Sequence, residues 1–159
     1  LTVTGSVFYL FAYTFTTLGA FGVLIYLSNK GKDYQHLNDL RGLVKSRPLA
    51  AYTMMFFMMS LGGIPPTMGF MGKWQIFMAA IAAREINLSI WMGLSSAIGL
   101  FYYLKVVYTM MFEEPVEVPG PVPTNVGGAR FALVITAVAT VVLGVMPGLL
   151  NSVLNIVDK

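Results

Sequence analysis

Cysteine is absent from the 159 residues, and the chain has only one histidine and seven acidic residues. Without cysteine, disulfide frameworks and thiolate sites for zinc or iron–sulfur clusters are excluded. Charge is also scarce, because Asp, Glu, Lys and Arg together make up 11% of the residues, whereas soluble domains contain about 25%. The basic residues are spread along the chain and form no nucleic-acid-binding patch. This composition is not that of a soluble metalloenzyme or a nucleic-acid-binding protein.

Hydrophobic residues make up 57% of the chain and gather in four segments, at 5–28, 48–83, 87–112 and 131–157. A helix of about 20 apolar residues crosses the hydrocarbon core of a bilayer. The first, third and fourth segments each fit one tilted span, and they predict an all-α, polytopic transmembrane bundle. The chain begins with Leu1 and an apolar run without the basic start of a signal peptide, so we expect a piece of a longer protein.

The second segment is too long for one span. A continuous helix over 48–83 would measure roughly 54 Å, nearly twice the thickness of the hydrocarbon core. Its middle reads LGGIPP, and a Pro-Pro pair after two glycines should interrupt a helix. We predict a break at 62–66, formed by Gly62, Gly63, Pro65 and Pro66. Two interpretations remain open: a re-entrant hairpin, or one spanning unit made of two half-helices.

The loops bear on the orientation of the chain. Segment 30–47 carries five of the ten basic residues, so the positive-inside tendency predicts that it is cytoplasmic and that the C-terminus is on the opposite side. A hairpin at 48–83 would change this assignment, and the charge count alone does not decide. Apolar residues at helical spacing predict a short surface helix near 37–44. The prolines and glycines of 113–130 predict an extended loop.

Lys73 is the single charge inside the second segment. Along a helix it lies ~16 Å from Arg84, well inside the membrane. A charge there costs typically ~2.5–3.5 kcal/mol and usually faces protein or water. Burial disfavours the ammonium form, so such a lysine can exchange a proton. The positive N-terminus of the half-helix after the break should also favour the neutral amine. The alternative is a structural lysine that snorkels to the interface.

Lys105 is the single charge inside the third segment, about two turns before Phe112. Snorkelling and proton transfer are equally consistent with that position. Tyr102 and Tyr103 are either partners for water beside it or interfacial aromatics. The neighbouring Ser95 and Ser96 are either part of a polar path or helix-packing residues.

The stretch SLGGIPPTMGFMGKWQIF resembles the broken-helix motif of the antiporter-like membrane subunits of proton-pumping NADH–quinone oxidoreductase, complex I. FYLFAYTFTTLGAFGVLIYLS is similar to the helix before that motif, and DLRGLVKSRPLAA to the connecting loop. SAIGLFYYLKVVYTMMF is similar to the helix that follows. The resemblance is strongest to the subunit N type, called subunit 2 in organelles. Residues 1–159 would then be the C-terminal part of one antiporter-like membrane domain.

The resemblance implies a non-redox subunit of a proton-translocating enzyme that transfers electrons from NADH to quinone. Lys73 falls on the family's key titratable lysine, and Lys105 falls on the basic residue of the next helix. No cofactor is expected in this chain, since FMN, iron–sulfur clusters and quinone would be bound by other subunits. The implied partners are other membrane subunits, lipid, water and protons, with no nucleic acid. The implied location is an energy-coupling membrane, for which we expect the bacterial inner membrane.

Two alternatives remain at this point. A subunit of a multisubunit cation/proton antiporter would share the broken-helix motif. A purely structural membrane scaffold would keep Lys73 buried and permanently paired.

Overall fold

The computed structural model describes residues 3–28, 34–115, 127–146 and 148, and these residues form helices without any strand. The elements are α1 (Val3–Leu27), a 3-10 helix (Leu37–Leu40), α2 (Leu43–Ser46), α3 (Pro48–Gly62), α4 (Met68–Ala82), α5 (Ile86–Phe112) and α6 (Gly127–Val145). The predicted all-helical class is confirmed. Two of the described helices, Gly5–Leu27 of α1 and the whole of α5, are long and apolar enough to cross a membrane.

Two helices, α3 and α4, occupy the overlong second segment. Helix α3 ends at Gly62, and Gly63 follows in the left-handed conformation with φ 81°. Glycine suits this position, because a side chain on a left-handed residue is strained. The peptide bond between Pro65 and Pro66 is cis. Helix α4 begins at Met68 after Thr67, whose hydroxyl accepts a hydrogen bond from Phe70 N. The chain is therefore not helical between Gly63 and Thr67, whereas Gly62 of the predicted break is the last residue of α3.

Helix α1 contacts α3, α4 and α6, while α3 also packs along α5. Gly19 of α1 allows close packing, since a Cβ there would collide with the ring of Phe57 on α3. The core around this contact is apolar and is formed by the buried residues Ala20, Val23, Tyr26, Leu27, Leu40, Leu43, Ala50, Ala51, Met54, Phe57, Met58 and Met110. This apolar core holds α3 in place, and the C-terminal end of α3 at Gly62 is held with it.

The connection between α1 and α3 differs from the single short helix predicted near 37–44. It contains the 3-10 helix and α2, separated by a turn at Gly42 with φ 61°, because a left-handed residue ends the helical path. Gly42 N donates to Thr109 O at 3.1 Å. Ion pairs Arg41–Glu113 (2.8 Å) and Lys45–Glu114 (2.6 Å) also join this connection to the end of α5. The connection is thus fastened to α5.

Helix α6 begins at Gly127, although the sequence predicted that the extended loop 113–130 would continue to Arg130. That boundary was wrong, because a helix can begin in polar surroundings where water satisfies its first amides. The remainder of the predicted loop, 116–126, lies outside the described residues. The fourth predicted segment, 131–157, is described only as far as residue 146 and at residue 148.

Candidate functional site

Lys73 lies in the second turn of α4, and its side chain reaches back across the break to α3. Its Nζ donates hydrogen bonds to Leu61 O at 2.9 Å and to Gly62 O at 3.4 Å. The stem of the side chain runs beside Gly63, where a Cβ would lie 3.1 Å from Lys73 Cδ. The glycine therefore serves two purposes: it adopts the left-handed turn and it leaves room for the lysine.

The carbonyls at the end of α3 show why the amine lies there. The last four C=O groups of a helix have no partner within the helix. Gly63 N and Ile64 N provide donors for two of these, Ser60 O and Met59 O, both at 3.0 Å. The amine of Lys73 provides donors for the remaining two. Lys73 thus caps the C-terminus of α3, in a position usually filled by backbone amides or water.

This placement changes the electrostatic expectation from the sequence. The prediction considered only the positive N-terminus of α4, which favours a neutral amine. The structure also brings the amine onto the negative C-terminus of α3, where carbonyl oxygens favour a cation. The two helix ends at the break therefore act on Lys73 in opposite directions.

A chain of hydrogen bonds beneath the break connects three helices. Gly69 N donates to Ser60 Oγ at 3.3 Å, Ser60 Oγ lies 3.3 Å from Thr16 Oγ1, and Thr16 Oγ1 donates to Ala12 O at 2.7 Å. A hydroxyl has one proton. Since Thr16 uses its proton on Ala12 O, Ser60 donates to Thr16 and accepts from Gly69. This arrangement connects α4, α3 and α1 directly below Lys73.

A cavity of about 350 Å³ opens beside Lys73 between α1, α3, α4 and α5. Its lining carries many hydroxyl groups and consists of Tyr9, Ala12, Tyr13, Thr16, Ser60, Leu61, Gly69, Lys73, Ile76, Met92, Ser95, Ser96, Gly99 and Tyr103. The structure therefore brings Lys73 together with three residues considered from the sequence: Ser95, Ser96 and Tyr103. We call this space the polar cavity.

Tyr9 and Ser60 also line the polar cavity, although the sequence did not single them out. Tyr9 packs against α4 at Gly72, where a Cβ would lie 3.1 Å from Tyr9 Cα. Hydroxyl residues occur in every apolar segment of this chain, so their presence alone does not identify an inward face. The sequence offered one signal for this contact, the small residue Gly72 next to Lys73. A glycine at that position is equally consistent with ordinary helix packing.

A second cavity of about 250 Å³ also reaches Lys73, and its walls are mainly aromatic and glycine residues. They are Gly62, Gly63, Phe70, Lys73, Trp74, Phe77, Met92, Gly93 and Ser96. The ring of Trp74 stacks on Phe70 with centroids 6.0 Å apart. We call this space the aromatic cavity.

Lys105 is not brought to Lys73. It follows Tyr103 by two residues, which corresponds to about 200° around a helix, and it lines neither cavity. Its side chain is exposed and has no ion-pair or hydrogen-bond partner in the described part of the chain. The two lysines therefore lie in different surroundings.

The sequence was compared with protein families and with individual known proteins. The profile of the family described as "NADH:quinone oxidoreductase/Mrp antiporter, TM" matches residues 1–99. The chain is 38% identical over 146 residues to NADH-quinone oxidoreductase subunit N 1 of Solibacter usitatus, covering 92% of this chain and 30% of the relative. It is 42% identical to subunit N of Myxococcus xanthus, covering 91% of this chain and 28% of the relative. The chain thus spans less than a third of these relatives.

Solved structures show the same fold. A chain of respiratory complex I from Thermus thermophilus with bound aureothin superposes with a TM-score of 0.79 at 33% identity, over 95% of this chain and 34% of that chain. A chain of the Mrp complex from Dietzia sp. DQ12-45-1b superposes with a TM-score of 0.76 at 25% identity, over 94% of this chain and 36% of that chain.

Proposed function

The chain belongs to the NADH:quinone oxidoreductase/Mrp antiporter transmembrane family, and we propose that it is part of a subunit N that translocates protons in the membrane arm of an NADH–quinone oxidoreductase. Residues 1–159 would form the C-terminal part of one antiporter-like membrane domain. The subunit itself would carry no redox group, and other subunits would bind FMN, iron–sulfur clusters and quinone. Its partners would be those membrane subunits, lipid and water.

The observation that carries this proposal is the position of the Lys73 amine, at the break and beside both cavities. A proton relay needs a group that changes charge and a path of water or hydroxyl groups leading to it. The amine supplies the group, and the polar cavity supplies the path. In each cycle Lys73 would accept a proton from water on one side and release it to water on the other side. Lys105 would take part as a second proton-transfer group.

We further propose that α3 and α4 form one discontinuous transmembrane segment, so that the described helices and the residues after α6 supply four segments. Discontinuous helices in transporters supply ion or substrate sites, because the freed backbone groups need partners. At this break, Lys73 is the partner of two freed carbonyls of α3. Loop 30–47 would then be cytoplasmic, and the C-terminus would be on the opposite side of the bacterial inner membrane.

The similarity to the Mrp complex favours one alternative, a subunit of a multisubunit cation/proton antiporter. The two functions differ in ion requirement. Proton transport that depends on sodium and needs no NADH would identify the antiporter. Co-purification of the full-length protein with flavin and iron–sulfur subunits would identify the oxidoreductase.

The relay role is tested with Lys73→Met in the full-length protein within the whole complex. Methionine keeps much of the volume but cannot carry a proton, so we expect NADH-driven proton pumping to fall severely. The measurement is acidification inside inverted membrane vesicles together with the rate of NADH oxidation. Lys45→Met is a matched control, because Lys45 lies in the loop outside the membrane segments and forms an exposed ion pair. Normal pumping by Lys73→Met would leave the purely structural scaffold as the better explanation.

A further inference from the structure

The two cavities share three lining residues: Lys73 from α4, and Met92 and Ser96 from α5. Residues four apart lie on the same face of a helix, so Met92 and Ser96 face Lys73 together. These three side chains form the partition between the polar cavity and the aromatic cavity. A proton that passes directly from one cavity to the other crosses this partition.

The two sides of the partition carry different side chains, although most of the surface of each cavity is apolar. Hydroxyls such as those of Tyr9, Tyr13 and Tyr103 can hold water in the polar cavity, which has room for several molecules at about 30 Å³ of liquid volume each. Phe70, Trp74 and Phe77 give the aromatic cavity walls without strong hydrogen-bonding groups. A continuous file of water from one cavity to the other would allow protons to leak without any work being done.

At the partition itself, the chemistry of Met92 and Ser96 is complementary. The thioether of Met92 is a weak acceptor that cannot donate a proton, so it can block a water file. Ser96 lies one helical turn further on and has a hydroxyl that both donates and accepts. This hydroxyl makes no hydrogen bond to another side chain or carbonyl in the described residues. It is therefore available to a water molecule or to the amine of Lys73.

We propose that Met92 and Ser96 gate the path at Lys73. Met92 blocks direct passage of water, and Ser96 is the positioning residue that holds the water with which the Lys73 amine exchanges its proton on the aromatic side. In this exchange the ammonium of Lys73 gives one proton to that water and becomes a neutral amine. It regains a proton from a hydronium ion in the polar cavity, which becomes water, so the net change over the cycle is the transfer of one proton from the polar to the aromatic side. This inference rests on the proposed function, because it assigns roles around the same lysine.

The test uses the full-length protein in the whole complex, reconstituted into liposomes. Met92→Ala should raise passive proton permeability several-fold in the absence of NADH, and should lower the number of protons pumped per NADH while NADH oxidation continues. Met78→Ala is the matched control, because Met78 is exposed on α4 and lines neither cavity. Met92→Leu should stay impermeable, since leucine keeps the blocking volume without the sulfur. A packing role alone would not open a proton leak.

Ser96 is tested in the same preparation. Ser96→Ala should slow NADH-driven pumping without any leak, and Ser96→Thr should restore it because the hydroxyl returns. Ser96→Ala also decides the matter if Met92→Ala fails to assemble, because this change removes one oxygen atom from a partly exposed position.

The outcomes separate this inference from the proposed function. If Lys73→Met stops pumping while Met92→Ala is as impermeable as the wild type and Ser96→Ala pumps normally, the gate is wrong and the relay role stands. If Lys73→Met pumps normally, the relay role is wrong, and the gate is wrong with it.

Discussion

At position 69 a side chain would collide with α3, because a Cβ there would meet the carbonyl carbon and the hydroxyl oxygen of Ser60 at 2.7 and 3.0 Å. Backbone atoms cannot rotate out of the way. We therefore expect Gly69→Ala to push α4 from α3 and to weaken the hydrogen bond from Gly69 N to Ser60. Overpacking of this kind costs typically ~1–3 kcal/mol. The loss is measured as a lower midpoint of thermal unfolding of the full-length protein in detergent.

Gly93→Ala is the control for that experiment, because a Cβ at Gly93 would meet no atom within 4 Å. Alanine favours a helix by ~1 kcal/mol over glycine, so this variant should unfold at the same temperature as the wild type or higher. Equal midpoints for the two variants would mean that the contact at Gly69 does not limit stability.

Among single residues, Lys73 was singled out from the sequence as a candidate, and its setting was not. A lone charge in an apolar segment is conspicuous, and the nearby prolines added a reason for it. Lys105 has the same sequence signature, yet it lies exposed on the outer side of α5. Helical spacing gives the angle between two residues but not which of them faces a neighbouring helix. Tyr9 and Ser60 could not be predicted for the same reason.

Among the elements, α6 is the helix whose Gly144 packs directly against the backbone between α3 and α4. A Cβ on Gly144 would meet the carbonyl oxygen of Pro66 and lie 2.6 Å from Met68 N. Both atoms belong to the backbone, so a larger residue must displace either α6 or the break. Since the carbonyls that bind Lys73 are at the same break, we expect Gly144→Ala to lower NADH-driven proton pumping. The measurement is the number of protons pumped per NADH by the assembled complex.

Gly128→Ala provides the comparison within α6, because a Cβ there would have no neighbour within 4 Å. It should pump as the wild type does. If Gly144→Ala also assembles and pumps normally, α6 does not set the geometry of the break.

The elements show where sequence patterns are sufficient. Residues 63–67 between α3 and α4 are not helical, and Gly-Gly and Pro-Pro have local conformational consequences that favour such an interruption. The contact of α6 with these residues could not be predicted, because the apolar pattern of α6 does not say which neighbour it contacts. The single helix predicted near 37–44 was wrong because periodicity was followed across Gly42, whose left-handed conformation divides the connection.

For the whole molecule, the number of membrane crossings can be measured by labelling single cysteines. The 159 residues contain no cysteine, so single cysteines can be placed at will once any elsewhere in the full-length protein are replaced. Asn38 lies exposed in the first connection, and Asn87 lies exposed at the start of α5. These two positions lie on either side of α3 and α4 in the sequence. Ala51, which is 0% exposed, serves as the unreactive control.

If α3 and α4 cross the membrane once, a membrane-impermeant maleimide should label Asn38→Cys only from the cytoplasmic side and Asn87→Cys only from the opposite side. The measurement compares inverted and right-side-out vesicles, and Ala51→Cys should react in neither until the protein is denatured. Labelling of both asparagine variants from one side would show a re-entrant hairpin instead. In that case α3 and α4 would enter and leave on the same side, and the proposed four-segment topology and the position of the C-terminus would both be wrong. The contacts of Lys73 with Leu61 and Gly62 are compatible with either path of the chain, so only the sidedness of Asn87 decides between them.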